Sequence, residues 1–560
     1  MAHPPIKNLN QPILWILFLA LMLRLWGITY GFPLFLVNDE PALVLGALKM
    51  MELKTLIPAL HQDEFKKVLY YPPLPSYFYL VTLAPVIALK YALSGFPPLA
   101  DFKDAIALDP TFIWVAARVL NALIGVGAVF VTYLLTKKAT GSERASLLAA
   151  LFLSLSFYHL QLSQVVRHWM PAALLIYLAW LKAADLKTSD SKKLYFLSGL
   201  FTGLGGGVNT SSAIAVLPGL IAHFSRKGQS LGKKIISLRL GLFLLTALAV
   251  ALLFVALYPY GLTRGEGAGT VGGDFSMRLG FILNRSLSGW SAFILDYLKL
   301  LVRYETILLA ASLIGAAALF RKNRTFVTTV FLFSVFYLTL LYLFFNAIPR
   351  ALVFILPAMA VMAGYGADRL MLKAQSHLRP AWRNAFALYG AAFLIFFAYP
   401  LVVDLRYNLV LNRKDTRLVA KEWIEKNIPP GAKILADLQY LRLINTKEGI
   451  SDLEKLDPSG LRSSDRALLR RDGKTYPSPA FYVLNLHFIS PSKPERLTAS
   501  PDYFKKLGFK YVIVEYEYAD RSDLYPPTRR LVESLERVAR FQPYFSDGFR
   551  RSLDISGEIA

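Results

Sequence analysis

Cysteine is absent from all 560 residues of the sequence. The chain can therefore form neither a disulfide nor a thiolate metal site. Charged residues are also scarce at 18%, whereas 55% of the residues are hydrophobic and 13% are aromatic. Apolar runs of about 20 residues recur between residues 12 and 403, and each is long enough to cross a bilayer. This composition predicts an integral membrane protein with many spans.

The net charge of +24 is distributed unevenly along the chain. Residues 404–560 hold 27 Lys and Arg against 22 Asp and Glu, which leaves 35 against 16 for residues 1–403. The excess therefore lies in loops between apolar runs, where basic residues mark the cytoplasmic side. The charge predicts a topology, and it does not indicate nucleic-acid binding.

Five basic clusters each separate two apolar runs, so we expect all five to be cytoplasmic. The clusters are Lys137, Lys138 and Arg144; Lys182, Lys187, Lys192 and Lys193; Arg226, Lys227, Lys233, Lys234 and Arg239; Arg321, Lys322 and Arg324; and Lys373, Arg379 and Arg383. Eleven spans follow, near residues 12–30, 112–136, 145–162, 170–186, 194–209, 210–225, 240–258, 303–320, 325–345, 351–372 and 384–403. This arrangement predicts a cytoplasmic N-terminus, a large first outer loop over residues 31–111, and an extracytoplasmic C-terminal segment.

Residues 74–93 ("LPSYFYLVTLAPVIALKYAL") are also apolar enough to span. A span here would invert every later loop and turn all five basic clusters outward. We therefore expect this proline-rich and aromatic-rich segment to lie along the outer surface or to dip into it.

The C-terminal segment, residues 404–560, has regular charges and turn signals and predicts a small soluble α/β domain. Residues 415–437 indicate a capped amphipathic helix, a Pro-Pro-Gly turn and a short buried strand. Residues 480–486 and 510–516 indicate further strands, and residues 528–540 a helix. The glycine-rich stretch 261–274 follows a span rather than a strand, which favours a flexible outer loop over a phosphate-binding loop.

Two adjacent carboxylates, Asp39 and Glu40, follow the first apolar run in "FPLFLVNDEPALVL" (residues 32–45). One interpretation is a helix start, with Asn38 or Asp39 as the N-cap and Glu40 and Pro41 in the first turn. The other is a catalytic site at the outer membrane surface. The two interpretations are compatible, because a capping aspartate can keep one oxygen free.

The order of several motifs resembles the GT-C superfamily of membrane glycosyltransferases, in particular the protein O-mannosyltransferases and the aminoarabinose transferases that modify lipid A. The motifs are "YGFPLFLVNDEPALVLGAL", "YYPPLPSYFYL" (70–80), "RHWMPAALLIYLAWLKAAD" (167–185), "NAIPRALVFILPAMAVMAG" (346–364) and "AKEWIEKNIPPGAKILAD". The resemblance covers nearly the whole chain. It implies a GT-C-type α-helical membrane module over residues 1–403, followed by the extracytoplasmic domain.

The resemblance implies that a sugar moves from a polyprenyl-phosphate donor to a protein, lipid or glycan acceptor at the outer face of the plasma membrane. A carboxylate base is then needed to take the acceptor proton, and cations to hold the departing phosphate. Adjacent Asp39 and Glu40 cannot face each other across a glycosidic bond as a hydrolase pair does, so a single base, Asp39, implies inversion. The candidate phosphate ligands are Arg167, His168 and Arg350, and the candidates for support of the site are Arg24, Asn38 and Tyr71.

Each cationic candidate also has an ordinary structural interpretation. Arg167 and Arg350 can extend to lipid headgroups, and His168 can be a surface histidine. Arg24 can either steady the loop of Asp39 or extend to the headgroups. Many relatives carry an acidic residue where this chain has Trp169, and without it a two-carboxylate metal site is hard to build. We therefore predict an enzyme without a cofactor or metal.

Two other classes of function remain open. A flippase or transporter of lipid-linked glycans would place charged residues along a central path, whereas the charges in this sequence gather at span ends. A non-catalytic scaffold would bind glycan or protein through its outer domain and would not depend on Asp39.

Overall fold

The structure, a computed structural model, is mostly helical. It describes residues 11–37, 40–66, 68–69, 72–228, 230–259, 282, 285–344, 348–377, 385–437, 441–456, 458, 461–485, 501–514, 536 and 538–541. The chain divides into two compact units. The first unit is formed by residues 1–28, 39–86 and 114–410, and the second by residues 29–38, 87–113 and 411–560.

Helices follow one another with few interruptions up to residue 411. In chain order they are α1 (Gln11–Leu25), α2 (Pro41–Leu53), α3 (Gln62–Phe65), α4 (Leu74–Leu93), α5 (Leu99–Leu108), α6 (Thr111–Thr140), α7 (Glu143–Ser154), α8 (Phe157–Ser163), α9 (Trp169–Ala183), α10 (Lys192–Val208), α11 (Val216–Phe224), α12 (Leu231–Ile235), α13 (Leu238–Leu257), α14 (Leu287–Tyr304), α15 (Thr306–Lys322), α16 (Arg324–Phe344), α17 (Leu356–His377), α18 (Ala385–Phe396) and α19 (Ala398–Leu411). Short 3₁₀ helices cover Pro58–His61, Thr210–Ala215 and Pro349–Phe354.

Several of these helices can cross a membrane, and the chain is a multi-pass membrane protein. Among the described residues, four helical segments are long and apolar enough, namely Leu74–Leu93, Thr111–Thr140, Leu231–Leu257 and Arg324–Leu343. The number rises to seven if each of three bent pairs forms one span. The bends are 63° between α7 and α8, 111° between α14 and α15, and 57° after α18. Helical structure lies in each of the eleven predicted spans, but the count of eleven stays a prediction.

Residues 74–93 form one continuous helix, α4, that passes the length and composition criteria for a span. Ser76, Tyr79 and Leu83 are buried, whereas Val81 and Leu93 are largely exposed. One side of α4 therefore packs in the protein and the other is available to lipid. The prediction that this segment lies at the surface remains untested.

Glycines allow α17 to approach two neighbouring helices closely. A Cβ atom on Gly315 of α15 would lie 1.8 Å from the carbonyl oxygen of Met362 in α17, and one on Gly366 would lie 2.6 Å from the carbonyl oxygen of Ala311. On another side of α17, a Cβ on Gly364 would lie 2.4 Å from the carbonyl oxygen of Ala145 in α7. Small residues at such contacts let membrane helices pack through their backbones.

The second unit contains a three-stranded parallel sheet in the order β2-β1-β3. Its strands are β1 (Lys433–Asp437), β2 (Tyr482–Asn485) and β3 (Tyr511–Val514). The helices beyond residue 411 are α20 (Thr416–Asn427), α21 (Lys447–Leu456), α22 (Ser463–Leu469) and α23 (Pro501–Lys506). Buried Ile434 of the central strand packs with Ala420 and Ile424 of α20. Parallel strands need such helical cover.

The predicted capped helix and Pro-Pro-Gly turn occur as α20 and the turn before β1. The Asp415 carboxylate accepts the backbone N–H of Arg417 at 2.9 Å and so caps α20. Gly431 has a φ of +79°, a conformation that glycine adopts without strain. The two other predicted strands contain β2 and β3. The predicted loop 261–274 and most of the predicted helix 528–540 lie outside the described residues.

Candidate active site

Glu40, one of the two predicted catalytic carboxylates, forms a buried ion pair with Arg118 of α6. Arg118 Nε donates to Glu40 Oε1 at 2.7 Å, and Nη2 donates to Oε2 at 2.8 Å. Both side chains are 1% exposed. A buried, two-point pair of this kind fixes geometry as well as charge. Glu40 therefore has a structural role in the arrangement of the site, and its oxygens are engaged by partners.

The same ion pair connects three parts of the chain. Arg118 Nη1 donates to the carbonyl oxygen of Ile28 at 2.8 Å, just beyond α1. The backbone N–H of Val166 donates to Glu40 Oε1 at 2.9 Å. One turn further along α6, Asn121 Nδ2 donates to the carbonyl oxygens of Leu162 and Val165 at 2.8 and 2.5 Å. Helix α6 therefore holds the segment that begins α2 and the segment between α8 and α9 side by side.

This arrangement brings together two regions that the sequence analysis had linked only by resemblance. Asp39 directly precedes Glu40 in the chain, and Arg167 directly follows Val166. A single carboxylate, Glu40, thus bonds the backbone next to Arg167 and lies next to Asp39. Asp39, Asn38 and Tyr71 themselves lie outside the described residues, so their predicted roles remain predictions.

The predicted phosphate ligands Arg167, His168 and Arg350 lie close together. Arg167 and His168 are buried, and the His168 ring packs against the ring of Trp169 at an interplanar angle of 34°, with centroids 4.8 Å apart. Burial and the positive charges of Arg167 and Arg350 lower the pKa of His168 to about 3. His168 therefore favours the neutral form at physiological pH, and it does not supply the positive charge expected of it.

Three tyrosine hydroxyls fix the backbone around Arg350. Tyr297 donates to the carbonyl oxygen of Ile348 at 3.1 Å and accepts its N–H at 3.0 Å. Tyr337 donates to the carbonyl oxygen of Ala351 at 3.0 Å, and Tyr177 donates to that of Phe354 at 2.8 Å. Arg350 consequently projects from a 3₁₀ helix whose position is set from three neighbouring helices. This is the preorganisation that a binding site requires.

Arg24 lies inside the first unit and not among the headgroups, and its predicted support of the Asp39 loop stays a prediction. Its guanidinium is fully buried, and its Nη2 lies 2.8 Å from His159 Nδ1. Nη1 donates to the carbonyl oxygens of Ala20 and Ser154 at 2.9 and 3.3 Å. Arg24 therefore links α1 to the bend between α7 and α8, and it does not extend to the membrane surface.

Further buried carboxylates lie in the first unit, and the sequence analysis did not identify them. Glu305, at the 111° bend between α14 and α15, accepts the hydroxyl of Ser156 at 2.7 Å and the N–H of Tyr158 at 3.1 Å. Asp404 is fully buried, and neither of its oxygens has a hydrogen-bond partner among the described residues. A single charge inside an apolar run was the available signal for Arg118.

No group of three or more His, Asp or Glu side chains in the described part of the chain could hold a metal ion. The prediction of a metal-independent enzyme thus stays a prediction. Trp169 packs against Phe354 with ring centroids 5.3 Å apart. An aromatic contact therefore occupies this position.

Comparisons with known proteins give a family match over part of the chain. Residues 76–265 match the model of the family described as dolichyl-phosphate-mannose-protein mannosyltransferase. This segment contains α6, Arg118, Arg167 and His168. No curated protein matches the chain.

Solved structures of similar shape are distant in sequence. The oligosaccharyltransferase of Archaeoglobus fulgidus, in a complex with Zn and sulfate, is 14% identical with a TM-score of 0.40; the match covers 81% of this chain and 60% of that one. ArnT from Cupriavidus metallidurans bound to undecaprenyl phosphate is 12% identical with a TM-score of 0.48, and covers 98% of this chain and 97% of that one. Both TM-scores lie below 0.5. The family match confirms the predicted resemblance to the protein mannosyltransferases over residues 76–265.

Proposed function

We propose that this chain is a membrane glycosyltransferase that uses a polyprenyl-phosphate-linked sugar and acts at the outer face of the plasma membrane. The acceptor is a hydroxyl or amine of a protein, lipid or cell-envelope glycan. The observation that carries the proposal is the Glu40 carboxylate, which bonds Arg118 and the backbone of Val166. Glu40 directly follows Asp39, the proposed base, and Val166 directly precedes Arg167, a proposed phosphate ligand. One carboxylate therefore connects these two segments of the chain.

In this mechanism Asp39 takes the proton of the acceptor as the acceptor oxygen or nitrogen attacks the anomeric carbon. The bond between that carbon and the phosphate oxygen breaks, and the lipid phosphate leaves with the electron pair. Attack opposite to the leaving group inverts the anomeric centre. The leaving phosphate needs no proton, because it is stable as an anion, but it gains negative charge that nearby cations can stabilise.

Arg167 and Arg350 are the proposed ligands of that phosphate, since both lie near His168 and arginine binds phosphate through two parallel hydrogen bonds. Neutral His168 would add a hydrogen bond without adding charge. The match to the mannosyltransferase family model supports a polyprenyl-phosphate donor. The identity of the transferred sugar is not part of the proposal.

The experiment is donor-dependent transfer by the purified protein in nanodiscs, with Asp39→Asn compared with Glu40→Gln. Loss of a general base lowers the rate by about 10²–10⁴-fold. Asp39→Asn should show this loss with an unchanged melting temperature, because the change is isosteric. Glu40→Gln should lower the melting temperature, since it weakens a buried ion pair. Transfer by Asp39→Asn at nearly the wild-type rate would overturn the assignment of the base.

Arg350→Ala tests the phosphate site in the same assay. Loss of a charge-assisted hydrogen bond of about 1.5–3 kcal/mol should raise the donor concentration needed for half-maximal rate by roughly tenfold or more. Arg350→Lys keeps the charge but not the planar fork, so we expect a partial defect. An unchanged donor requirement in Arg350→Ala would restrict this residue to an anchoring role.

A flippase or transporter is less well supported. Buried ionisable residues do occur within helices, which differs from the expectation that charges gather at span ends. However, Glu40 and Glu305 have their oxygens bound to Arg118 and Ser156. Carboxylates held in this way stabilise helix packing and are poor candidates for a path through which a charged headgroup moves.

A further inference from the structure

One end of the first unit carries a concentration of positive charge, which begins at the opposite end of α9 from Arg167 and His168. Between residues 182 and 239 there are nine Lys and Arg residues but only two acidic ones, Asp185 and Asp190. These basic residues lie in the connection between α9 and α10 and in the segment that runs from the end of α11 through α12 to the start of α13.

Buried polar contacts hold these connections in one arrangement. Arg226 donates to the carbonyl oxygen of Ser189 at 3.1 Å and to the hydroxyl of Tyr195 at 3.0 Å, and it also pairs with Asp190. The buried ring of His223 bonds the Tyr195 hydroxyl at 2.6 Å and the carbonyl oxygen of Lys234 at 3.0 Å. The orientation of α12 is therefore fixed through a chain of hydrogen bonds.

The two acidic residues are already engaged by neighbouring cations. Asp185 pairs with Lys138 at 2.5 Å, and Asp190 pairs with Arg226 and, at 2.8 Å, with Arg239. Four exposed lysines remain that form no ion pair within the described part of the chain. They are Lys192, Lys193, Lys227 and Lys233. This end of the molecule consequently presents uncompensated positive charge.

Large apolar side chains lie exposed among these lysines. Leu231 and Ile235 of the short helix α12 are 66% and 58% exposed, and Ile236 and Leu238 just beyond it are 87% and 78% exposed. Exposed apolar residues beside lysines are typical of segments that lie in the headgroup region of a bilayer. We name the surface formed by the four lysines and these four apolar residues the 192–238 surface.

We propose that the 192–238 surface binds an anionic phospholipid of the leaflet that it faces. The lysines attract the negative headgroup, and the exposed leucines and isoleucines contact its acyl chains. Charge complementarity favours this ligand over a zwitterionic lipid, because each lysine near an anionic headgroup contributes to attraction. The fixed orientation of α12 means that the surface is formed before the lipid arrives. This inference does not depend on the proposed transferase activity.

The test uses the absence of cysteine in the chain. Ile236→Cys, labelled with a fluorophore, reports on lipids that contact the surface when the protein is in nanodiscs of phosphatidylcholine. A small fraction of brominated phosphatidylglycerol or of brominated phosphatidylcholine is then included as a quencher. We expect the anionic lipid to quench at a concentration lower by about tenfold or more, and added salt should reduce this preference.

The variant K192Q/K193Q/K227Q/K233Q should lose the preference. The control variant R321Q/R324Q/R369Q/K373Q removes as many charges from elsewhere in the unit and should retain it. Melting temperatures of both variants establish that they are folded. Equal quenching by the two lipids in the parent protein, or a preference that survives in the first variant, would overturn the proposal. Quenching relieved by polyglutamate rather than by unlabelled anionic lipid would indicate an acidic protein partner and would also overturn it.

Discussion

At the scale of single residues, Arg118 is the side chain on which the site's geometry most depends. It binds both oxygens of Glu40 and the backbone of Ile28, and all of these contacts are buried. Removal of one member of a buried ion pair leaves an uncompensated charge in a low-dielectric environment. Such a loss lowers the free energy of unfolding more than replacement of both members of the pair by apolar residues.

Arg118→Met should therefore destabilise the protein by about 3–5 kcal/mol, whereas Arg118→Met combined with Glu40→Leu should be destabilised less. The measurement is the unfolding free energy in detergent for the parent, both single variants and the double variant. Strict additivity of the two single effects would contradict a direct interaction between these side chains.

His168 gives a second prediction at the residue scale, which concerns pH. Burial together with Arg167 and Arg350 lowers its pKa to about 3 from an ordinary value of 6.5. A depressed histidine pKa means that the folded protein keeps the neutral form down to about pH 3, whereas the unfolded chain takes up the proton near pH 6.5. The folded state therefore loses stability as the pH falls from about 6.5 to about 3. We therefore expect no inflection near pH 6.5 that comes from His168 in the dependence of kcat/KM on pH. The wild-type protein and His168→Gln should have profiles of the same shape in this range. An inflection near that pH that disappears with His168 would contradict the neutral assignment.

The sequence predicts part of the candidate site and leaves part of it undetermined. Arg167, His168 and Arg350 were identified from local motifs, and the structure places them together. The roles of Glu40 and Arg118 could not be derived in the same way, because 78 positions separate the two partners. A lone arginine in an apolar run indicates that a buried partner exists, but not which one it is.

At the scale of helices, close backbone contacts depend on glycine. A methyl group at Gly315 would overlap the carbonyl group of Met362 in α17, which is backbone and cannot rotate away. Gly241 in α13 provides a matched control, because a methyl group there meets no atom within 4 Å.

Gly315→Ala should destabilise the protein by about 1–3 kcal/mol through overpacking. Gly241→Ala should be neutral or slightly stabilising, since alanine favours a helix over glycine by up to about 1 kcal/mol. Thermal unfolding of both variants in the same detergent distinguishes the two effects. Equal melting temperatures for the two variants would argue against a tight contact between α15 and α17.

Hydrophobic periodicity and capping residues predict most of the helices, but they do not predict the bends between helices. The helix capped by Asp415 was expected from residues 415–427, where a polar cap precedes an amphipathic run. The bends within the predicted spans were not expected, because they depend on tertiary partners. At the 111° bend, Glu305 bonds groups that belong to another bent pair, α7 and α8.

At the scale of the whole molecule, the distribution of basic residues predicts that the five connections with basic clusters lie on one side of the membrane. The C-terminal domain is predicted to lie on the other side. Cysteine introduced at Thr188, between α9 and α10, and at Ser478, before β2, would be the only cysteine in each variant. Both side chains are exposed. A membrane-impermeant reagent added to intact cells should label Ser478→Cys but not Thr188→Cys.

Lysis before labelling serves as the control, since both positions should then react. Labelling of both cysteines in intact cells would contradict the predicted topology and the placement of Asp39 at the outer face. The assay reads topology without any requirement for enzymatic activity.

The contact of Glu305 with Ser156 has a consequence for the order in which the protein is made. Ser156 precedes Glu305 by 149 positions, so the ribosome delivers its hydroxyl to the membrane first. An unpaired carboxylate that enters the apolar interior of a membrane costs free energy. The segment that carries Glu305 enters a membrane in which α7 and α8 already offer a hydroxyl and a backbone N–H to that carboxylate. Biosynthesis from the N-terminus therefore supplies the partner before the charge, and a permuted chain that begins with α14 would have to insert Glu305 without it.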